Sequence, residues 1–596
     1  MPGLRRFSLP VRGHGRWSPV AGAGRALSPR GALTLHEVDG ALLFAVRAAL
    51  AMGLVAVPIV MAGRPDLAVY AMLGSFTTTF GRNLPYARRA RVLAVVAAAM
   101  TACVGCGSAL AVWARPGEST AGAAVVAVAT ALVAGAAKYV CDATRLGGLG
   151  AVLLLFSFAV AANASPTWAD VLPYTALAAA GAALAWLLAV SGRFVHPERP
   201  QRLAVAMALR RLAEVLEASA ASGNIPRRTR HGATVAVLHA YQCLGSPPPA
   251  RTRRAGPGPD AVFLRLTDLS WTLLVGSPRC APGDPATTAV HRRRQATLLT
   301  DRRRRTPAVL RELPFLPTAS PSPENRDDGA GRTIESAAAR GDAAALRATE
   351  LLIGRPGGPD RLAVLAVPAL RMALGTGVAG VLAVLLHLEH GYWAAISAAA
   401  VLHSVNLRTT AQRAVQRTLG TCVGLLIALG VLAARPEPMT LALVIVALEF
   451  LLEFLVVRNY GLGVVFLTPM ALLLSDLAAP APAGALVLDR VLGSILGIGT
   501  GLLCALLVVH DRAAVRVERA LAACVAAADR AERSLGRAVG PPPPLVQVRL
   551  AVAVVELRDA DDAAAGELWP AGIDPAELAA AENRAYVLLD RLHHHR

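Results

Sequence analysis

The sequence predicts an all-α polytopic membrane protein, with about twelve transmembrane helices in two parallel six-helix repeats and cytoplasmic helical domains. Three observations lead there. Hydrophobic residues make up 55% of the 596 residues against 17% charged, and mean hydropathy is +0.49, which excludes a disordered chain and argues against a soluble enzyme. Apolar stretches approaching the ~20 residues that cross a hydrocarbon core fall in two blocks around a charged middle segment. The two blocks also carry the same landmarks at matching offsets.

Residues 1–40 hold six arginines with Pro and Gly and no apolar core, which reads as a basic cytoplasmic tail rather than a secretory signal. The first transmembrane repeat, 41–194, contains apolar runs at Ala41–Ala62, Leu67–Phe80, Val92–Ala114, Ala121–Ala137, Gly147–Ala162 and Val171–Val190. Residues 195–360 change character. Helical periodicity at Gln201–Ala221, Asp260–Leu274 and Thr333–Leu352 alternates with stretches rich in Pro, Gly and charge, so this is a cytoplasmic helical insert with flexible linkers. The second repeat, 361–510, has runs at Leu362–Leu386, Gly391–Val405, Thr418–Ala434, Met439–Val457, Tyr460–Leu474 and Ala485–Val509. The last segment, 511–596, is a C-terminal cytoplasmic helical region, with helices expected at Ala514–Val539, Leu545–Asp559 and Asp574–Leu592. The two cytoplasmic parts are expected to pack on one another.

Short cytoplasmic loops carry the excess of Lys and Arg. With the N-terminus inside, the inner loops hold Arg82, Arg88, Arg89, Arg91, Lys138, Arg145, Arg408, Arg413, Arg417 and Arg458, and the outer loops hold Arg64, Arg115 and Arg435. Ten against three is the distribution expected when both termini and the middle segment are cytoplasmic. The repeats align in order: Arg47 with Arg371, Ala71-Met-Leu-Gly-Ser-Phe with Ala395-Ile-Ser-Ala-Ala-Ala, Arg89-Ala90 with Arg413-Ala414, and Arg145-Leu-Gly-Gly-Leu-Gly with Arg458-Asn-Tyr-Gly-Leu-Gly. Six spans per copy is an even number, so both copies face the same way.

Arg417-Thr-Leu-Gly-Thr-Cys-Val-Gly424, Arg458-Asn-Tyr-Gly-Leu-Gly-Val-Val-Phe-Leu-Thr-Pro469 and Asp489-Arg490-Val-Leu-Gly493 follow Tyr392-Trp393 in that order. This series resembles the fusaric acid resistance protein-like family of integral membrane transporters. The first block carries it in degenerate form, with Arg91-Val-Leu-Ala-Val lacking the Gly-Thr. The resemblance implies a relative of bacterial aromatic carboxylic acid exporters and, more distantly, of plant aluminium-activated malate channels. There the building block is one six-span unit with a helical cytoplasmic region, so a chain with two units looks like a fused dimer.

Charged residues inside spans are costly and are candidates for function. Arg47 and Arg371, related by the repeat, are the expected substrate-binding pair: standing together near the axis, they would offer guanidinium geometry to an organic carboxylate. The plain alternative is that each snorkels to headgroups. Glu449 and Glu453 share one helical face at i and i+4, and a desolvated carboxyl can carry a proton, so they are the candidates for proton coupling. Asp489, Arg490, Arg417 and Arg458 are candidates for a gate or for helix pairing, Gly493, Gly497 and Gly501 supplying close-packing spacing.

Other chemistry is not expected. His387, Glu389 and His390 on one short turn seldom close a coordination sphere, and His593 to His595 are unplaced, so no metal or cofactor is assigned. The basic runs Arg292–Arg294 and Arg302–Arg305 lack interleaved aromatics, which favours anionic headgroups of the lipid bilayer over nucleic acid. No nucleotide-binding or hydrolase motif is present, and no catalytic residue is assigned. The function expected is efflux of small amphipathic organic anions. Protein partners compatible with it are a second copy of the chain and a periplasmic adaptor. A non-transporting envelope scaffold is the rival from another class. A major-facilitator transporter shares the two-half plan, but Gly81-Arg-Asn-Leu-Pro-Tyr-Ala-Arg-Arg89 lacks the acidic residue of that family's inner loop.

Overall fold

The computed structural model describes residues 35, 40–82, 84–144, 146, 150–223, 225–244, 259–275, 284–301, 359–404, 406–507, 512–536, 544–566 and 573–594. The described residues form nineteen α-helices, one 3-10 helix and no strand. The first repeat is α1 (Ala41–Met61), α2 (Pro65–Ser75), α3 (Tyr86–Ala114), α4 (Thr120–Thr144), α5 (Gly150–Ala162) and α6 (Trp168–Val195). Helices α7 (Arg199–Ser222), α8 (Arg227–Leu244), α9 (Pro259–Val275) and α10 (Pro285–Thr300) follow. The second repeat is α11 (Pro359–Leu385), α12 (Tyr392–Leu402), α13 (Leu407–Ala433), α14 (Pro438–Leu455), α15 (Tyr460–Ala478) and α16 (Ala483–Leu507). Helices α17 (Arg512–Gly536), α18 (Pro544–Ala564) and α19 (Pro575–His594) complete the chain.

Nine of the twelve repeat helices are long and apolar enough to cross a membrane. The other three correct the span lengths read from sequence. Helices α2 and α12 have 11 residues each and α5 has 13, about 17–20 Å at 1.5 Å per residue, too short to cross a ~30 Å core alone. Their burial explains their length. From Ala68 onward every residue of α2 is buried, as is every residue of α12 after Tyr392 and all of α5 except Val160. A helix apolar all round belongs inside the protein, and these three sit within the bundle while longer helices face lipid. Hydroxyls along α2 and its 3-10 extension are satisfied locally: Ser75 donates to the Met72 carbonyl and Thr77 to that of Gly74, which keeps polar atoms paired where no water reaches.

The repeat seen in the sequence is a repeat of packing. In each copy the second helix lies along the sixth, the third along the fifth and sixth, and the fourth along the fifth. Glycine makes the second-to-sixth approach. A Cβ at Gly181 would land on the Ala71 carbonyl, and one at Gly497 on that of Ala394. The copies then exchange partners: α4 packs on α11 and α14 on α1, while α2 touches α15 and α12 touches α5. Such reciprocity is the mark of a two-fold relation, here within a single chain. The seam is filled by side chains from both copies, with Phe156 and Trp393 ring centroids 5.9 Å apart.

Helices α7–α10 and α17–α19 share one hydrophobic core with Leu209, Leu212, Trp271, Leu550 and Leu589, so the inserts do pack on one another. A basic edge of α8 meets acidic residues of the C-terminal helices: Arg227 lies 3.9 Å from Glu582, and His231 3.0 Å from Asp559. Thr234 and Tyr586 hydroxyls are 2.9 Å apart. This bundle docks on the second repeat where the Arg408 amide donates to the Gly566 carbonyl at 3.0 Å and the Asn406 amide to that of Ala563 at 3.2 Å. Of the basic runs, Arg293 pairs with Glu217 at 2.6 Å and Arg292 donates to Gln295 at 2.8 Å, so these two are spent within the bundle. Arg302–Arg305, Arg145 and the helix expected at Thr333–Leu352 lie outside the described residues.

Candidate functional site: two buried guanidiniums in the second repeat

Inside the second repeat, α13 and α16 turn arginines toward α12. The interior positions of α13 are Ala414, Arg417, Thr421, Leu425 and Ala428, and those of α16 are Leu486, Arg490, Gly493, Ser494 and Gly497. Arg417 and Arg490 are each 1% exposed. Arg417 donates from Nη2 to the Ser397 hydroxyl at 3.0 Å and reaches the Tyr460 hydroxyl at 3.5 Å. The Arg490 guanidinium carbon lies over the Trp393 ring, 3.9 Å from its centroid. The Nε of Arg417 and the Nε and Nη1 of Arg490 are buried without a hydrogen-bond partner. Neither guanidinium has a carboxylate partner among the described residues, and the two are near enough for their charges to interact.

Hydroxyls without partners collect on the same faces: Thr421 one turn beyond Arg417, Ser494 one turn beyond Arg490, and Thr468 on α15. Tyr392 tilts against Trp393 with centroids 4.8 Å apart. Holding a buried charge without a counter-ion costs several kcal/mol even after relaxation, and each orphaned donor adds about 1–3 kcal/mol. A carboxylate answers both costs, since its two oxygens accept from guanidinium N–H groups in fork geometry. Trp393 and Tyr392 offer flat apolar surface beside it.

The first repeat has no counterpart. Along α3 the buried positions are Arg89, Leu93, Val96, Met100, Val104, Gly107, Ser108 and Ala111, with Arg89 taken up by the Gly81 and Arg82 carbonyls. Along α6 they are Ala178, Gly181, Ala182, Ala185 and Ala189, so no arginine stands where Arg417 and Arg490 do. The backbone repeats while the chemistry does not. Left-handed arginines end the third helix of both copies, Arg115 at φ 46° and Arg435 at φ 44°, so the loss is confined to the interior.

The other sequence candidates are placed as follows. Arg47 sits on α1, its guanidinium 4.7 Å from the Phe44 ring, and Arg371 sits on α11, donating to the Ser404 carbonyl at 3.1 Å. The α1–α14 and α4–α11 packings are reciprocal interfaces. Arg47 stands at the first, near Glu453, whereas Arg371 lies on the face of α11 toward Ser404 and Cys504, turned from the Ala369, Ala373 and Gly377 face that meets α4. Glu453 faces the first of these, 3.4 Å from Arg82, and Glu449 lies one turn away, 1% exposed, its Oε2 without a partner. The second interface holds Lys138, 2.8 Å from Asp142 and 3.4 Å from the His403 carbonyl. Asp489 and Arg490 are neighbours that part: Asp489 bonds His390 at 2.8 Å while Arg490 turns inward. Arg458 packs on Phe454 at 3.9 Å. Sequence reasoning missed Ser397, Thr421, Thr468, Ser494 and Arg82. The hydroxyls at i+4 from both interior arginines were the available signal.

Comparison with known proteins bears on this same half. Residues 378–504 match the family described as fusaric acid resistance protein-like. Over most of its length the second repeat is similar to that family. The matched segment contains Trp393, Ser397, Arg417, Thr421, Thr468, Arg490 and Ser494, and thus the whole candidate site of this fusaric acid resistance protein-like unit. The chain is also 32% identical over 243 residues to the uncharacterized membrane protein YvaC of Bacillus subtilis (strain 168), an alignment covering 38% of this chain and 37% of that protein. It therefore spans little more than a third of that relative's length. No solved structure matches the chain.

Proposed function

We propose that the protein exports amphipathic organic anions, aromatic carboxylates first among them, through the interior of its second repeat. The observation that carries this is a pair of buried guanidiniums, Arg417 and Arg490, with orphaned donors and no carboxylate partner among the described residues. In this reading Arg417 and Arg490 hold the carboxylate, and Trp393 and Tyr392 receive the ring. The arginine bias of the loops supports a cytoplasmic helical bundle, and in that orientation Arg47 and Arg371, half-buried near the bundle side, raise the local anion concentration. The first repeat supplies the second wall of a built-in dimer without a site of its own.

Proton coupling belongs to the same reading. Glu449 and Glu453 share a buried face at the α1–α14 interface with Arg82 and Arg47 beside them, and a carboxyl that trades a proton for an arginine contact could link protonation to movement of one repeat against the other. Flux of a labelled aromatic carboxylate from proteoliposomes, with and without a pH gradient, tests the whole. Saturable flux lost in R417Q and R490Q is expected. Flux equal to wild type in both variants refutes the assignment, and absence of flux for every acid favours the scaffold reading.

A further inference from the structure

At the end of the second repeat away from the helical bundle, the loop between α11 and α12 faces the first turns of α16. We propose that Glu389, His390 and Asp489 there form a binding site for a divalent transition metal of the Zn2+ class. The objection from sequence was that ligands on one turn rarely surround an ion. The fold answers it by bringing a third ligand from 99 residues away. One donor atom from each of the three residues lies within 4.8 Å of the others, the condition being met by this group among the described residues. His390 Nδ1 and Asp489 Oδ2 are 2.8 Å apart.

The chemistry of the donors selects the ion. Imidazole with two carboxylates suits Zn2+ and its neighbours, whereas Ca2+ and Mg2+ prefer all-oxygen shells. Two carboxylates and a neutral imidazole carry a charge of −2, which balances a divalent cation. Ligand bonds of about 2.0–2.1 Å set tetrahedral ligand atoms ~3.3 Å apart. Binding through Nδ1 thus replaces the proton shared by His390 and Asp489 and opens that pair by a few tenths of an ångström, and Glu389, which is exposed, closes in from solvent. The fourth position goes to water. Arg490, the next residue after Asp489, is turned inward over Trp393 and so does not compete for the carboxylate. A bound ion would tie the α11–α12 loop to α16, one residue from an interior guanidinium.

The test is a Co2+ titration of the full-length protein in detergent, read by the visible d–d absorption of a tetrahedral Co2+ centre, in wild type, E389Q, H390Q and D489N. The terminal His593–His595 run is common to all four, so difference spectra isolate this site. We expect one equivalent of Co2+ in the wild-type-minus-H390Q difference, displaced by one equivalent of Zn2+, lost in D489N and weakened in E389Q. Zn2+ should also raise the melting temperature of wild type and leave that of H390Q unmoved. Exposed Glu389 carries no fold, so E389Q separates loss of a ligand from misfolding. Four proteins that titrate alike, with no Zn2+ shift in melting temperature that depends on His390, overturn the proposal. No flux enters the readout, so its failure would leave the anion reading standing.

Discussion

Replacing Arg490 by Met separates a binding role from a structural one. The wild-type side chain is fully enclosed, with two guanidinium nitrogens unpartnered and, among the described residues, no carboxylate beside it. Removing a buried charge of this kind returns a desolvation penalty of several kcal/mol, against which the stack on Trp393 at 3.9 Å forfeits about 2 kcal/mol. Met approximates the arginine stem in length and is apolar. The net expectation is a protein more stable by on the order of 2 kcal/mol that no longer responds to anions. The assay is thermal unfolding in detergent with and without an aromatic carboxylate. Wild type should gain stability on ligand, about 2.7 kcal/mol at a hundredfold excess over Kd, while R490M starts higher and gains nothing. If R490M unfolds at lower temperature than wild type, or still shifts with the acid, the arginine is a packing element and the reasoning fails.

Substituting both Glu449 and Glu453 by Gln should leave insertion intact and flatten the dependence of flux on a pH gradient, measured in proteoliposomes; an unaltered dependence places coupling elsewhere. Gly497→Val should cost about 1–3 kcal/mol, because a Cβ there would strike the Ala394 carbonyl, and flux should fall with it as α12 is pushed off α16. Asn406→Ala removes the cap that accepts from the Thr409 amide at 2.9 Å and the contact to the Ala563 carbonyl, costing about 1 kcal/mol and increasing proteolysis between repeat and bundle. Burial draws the His239 pKa below its usual 6.5, with Arg88 adding repulsion. The unfolded chain therefore binds this proton more readily, so its contribution is intact above pH 6.5 and is lost as pH falls below it; urea unfolding followed at pH 7.5 and 5.5 should show that slope diminished in H239F.

The twelve apolar segments and the repeat were legible because lipid forces every buried stretch to be apolar and helical, and because landmarks such as Arg89-Ala90 and Arg413-Ala414 recur at matching offsets. Helices α2, α5 and α12 were counted with the spans, since hydropathy registers an apolar environment without distinguishing lipid from protein interior. The site was legible in part. Arg490 stood out as a charge within a span and Arg417 as a gate or helix-pairing candidate counted with the inner loop, which the structure moves inside α13; their meeting required knowing that α13 and α16 both turn toward α12. Arg47 and Arg371 correspond in the repeat, yet correspondence alone does not fix distance from the axis. Arg47 goes to the α1–α14 interface while Arg371 turns toward Ser404 and Cys504 within the second repeat. The His390–Asp489 contact, across 99 residues, has no local signal at all.

The most direct measurement is a structure of the protein with a bromine-substituted aromatic carboxylate, whose heavy atom marks the ligand unambiguously. One molecule per chain is expected, inside the second repeat, with its carboxylate between Arg417 and Arg490 and its ring beside Trp393. Ligand found near Arg47 or Arg371, or in equal amounts in both repeats, would contradict the account.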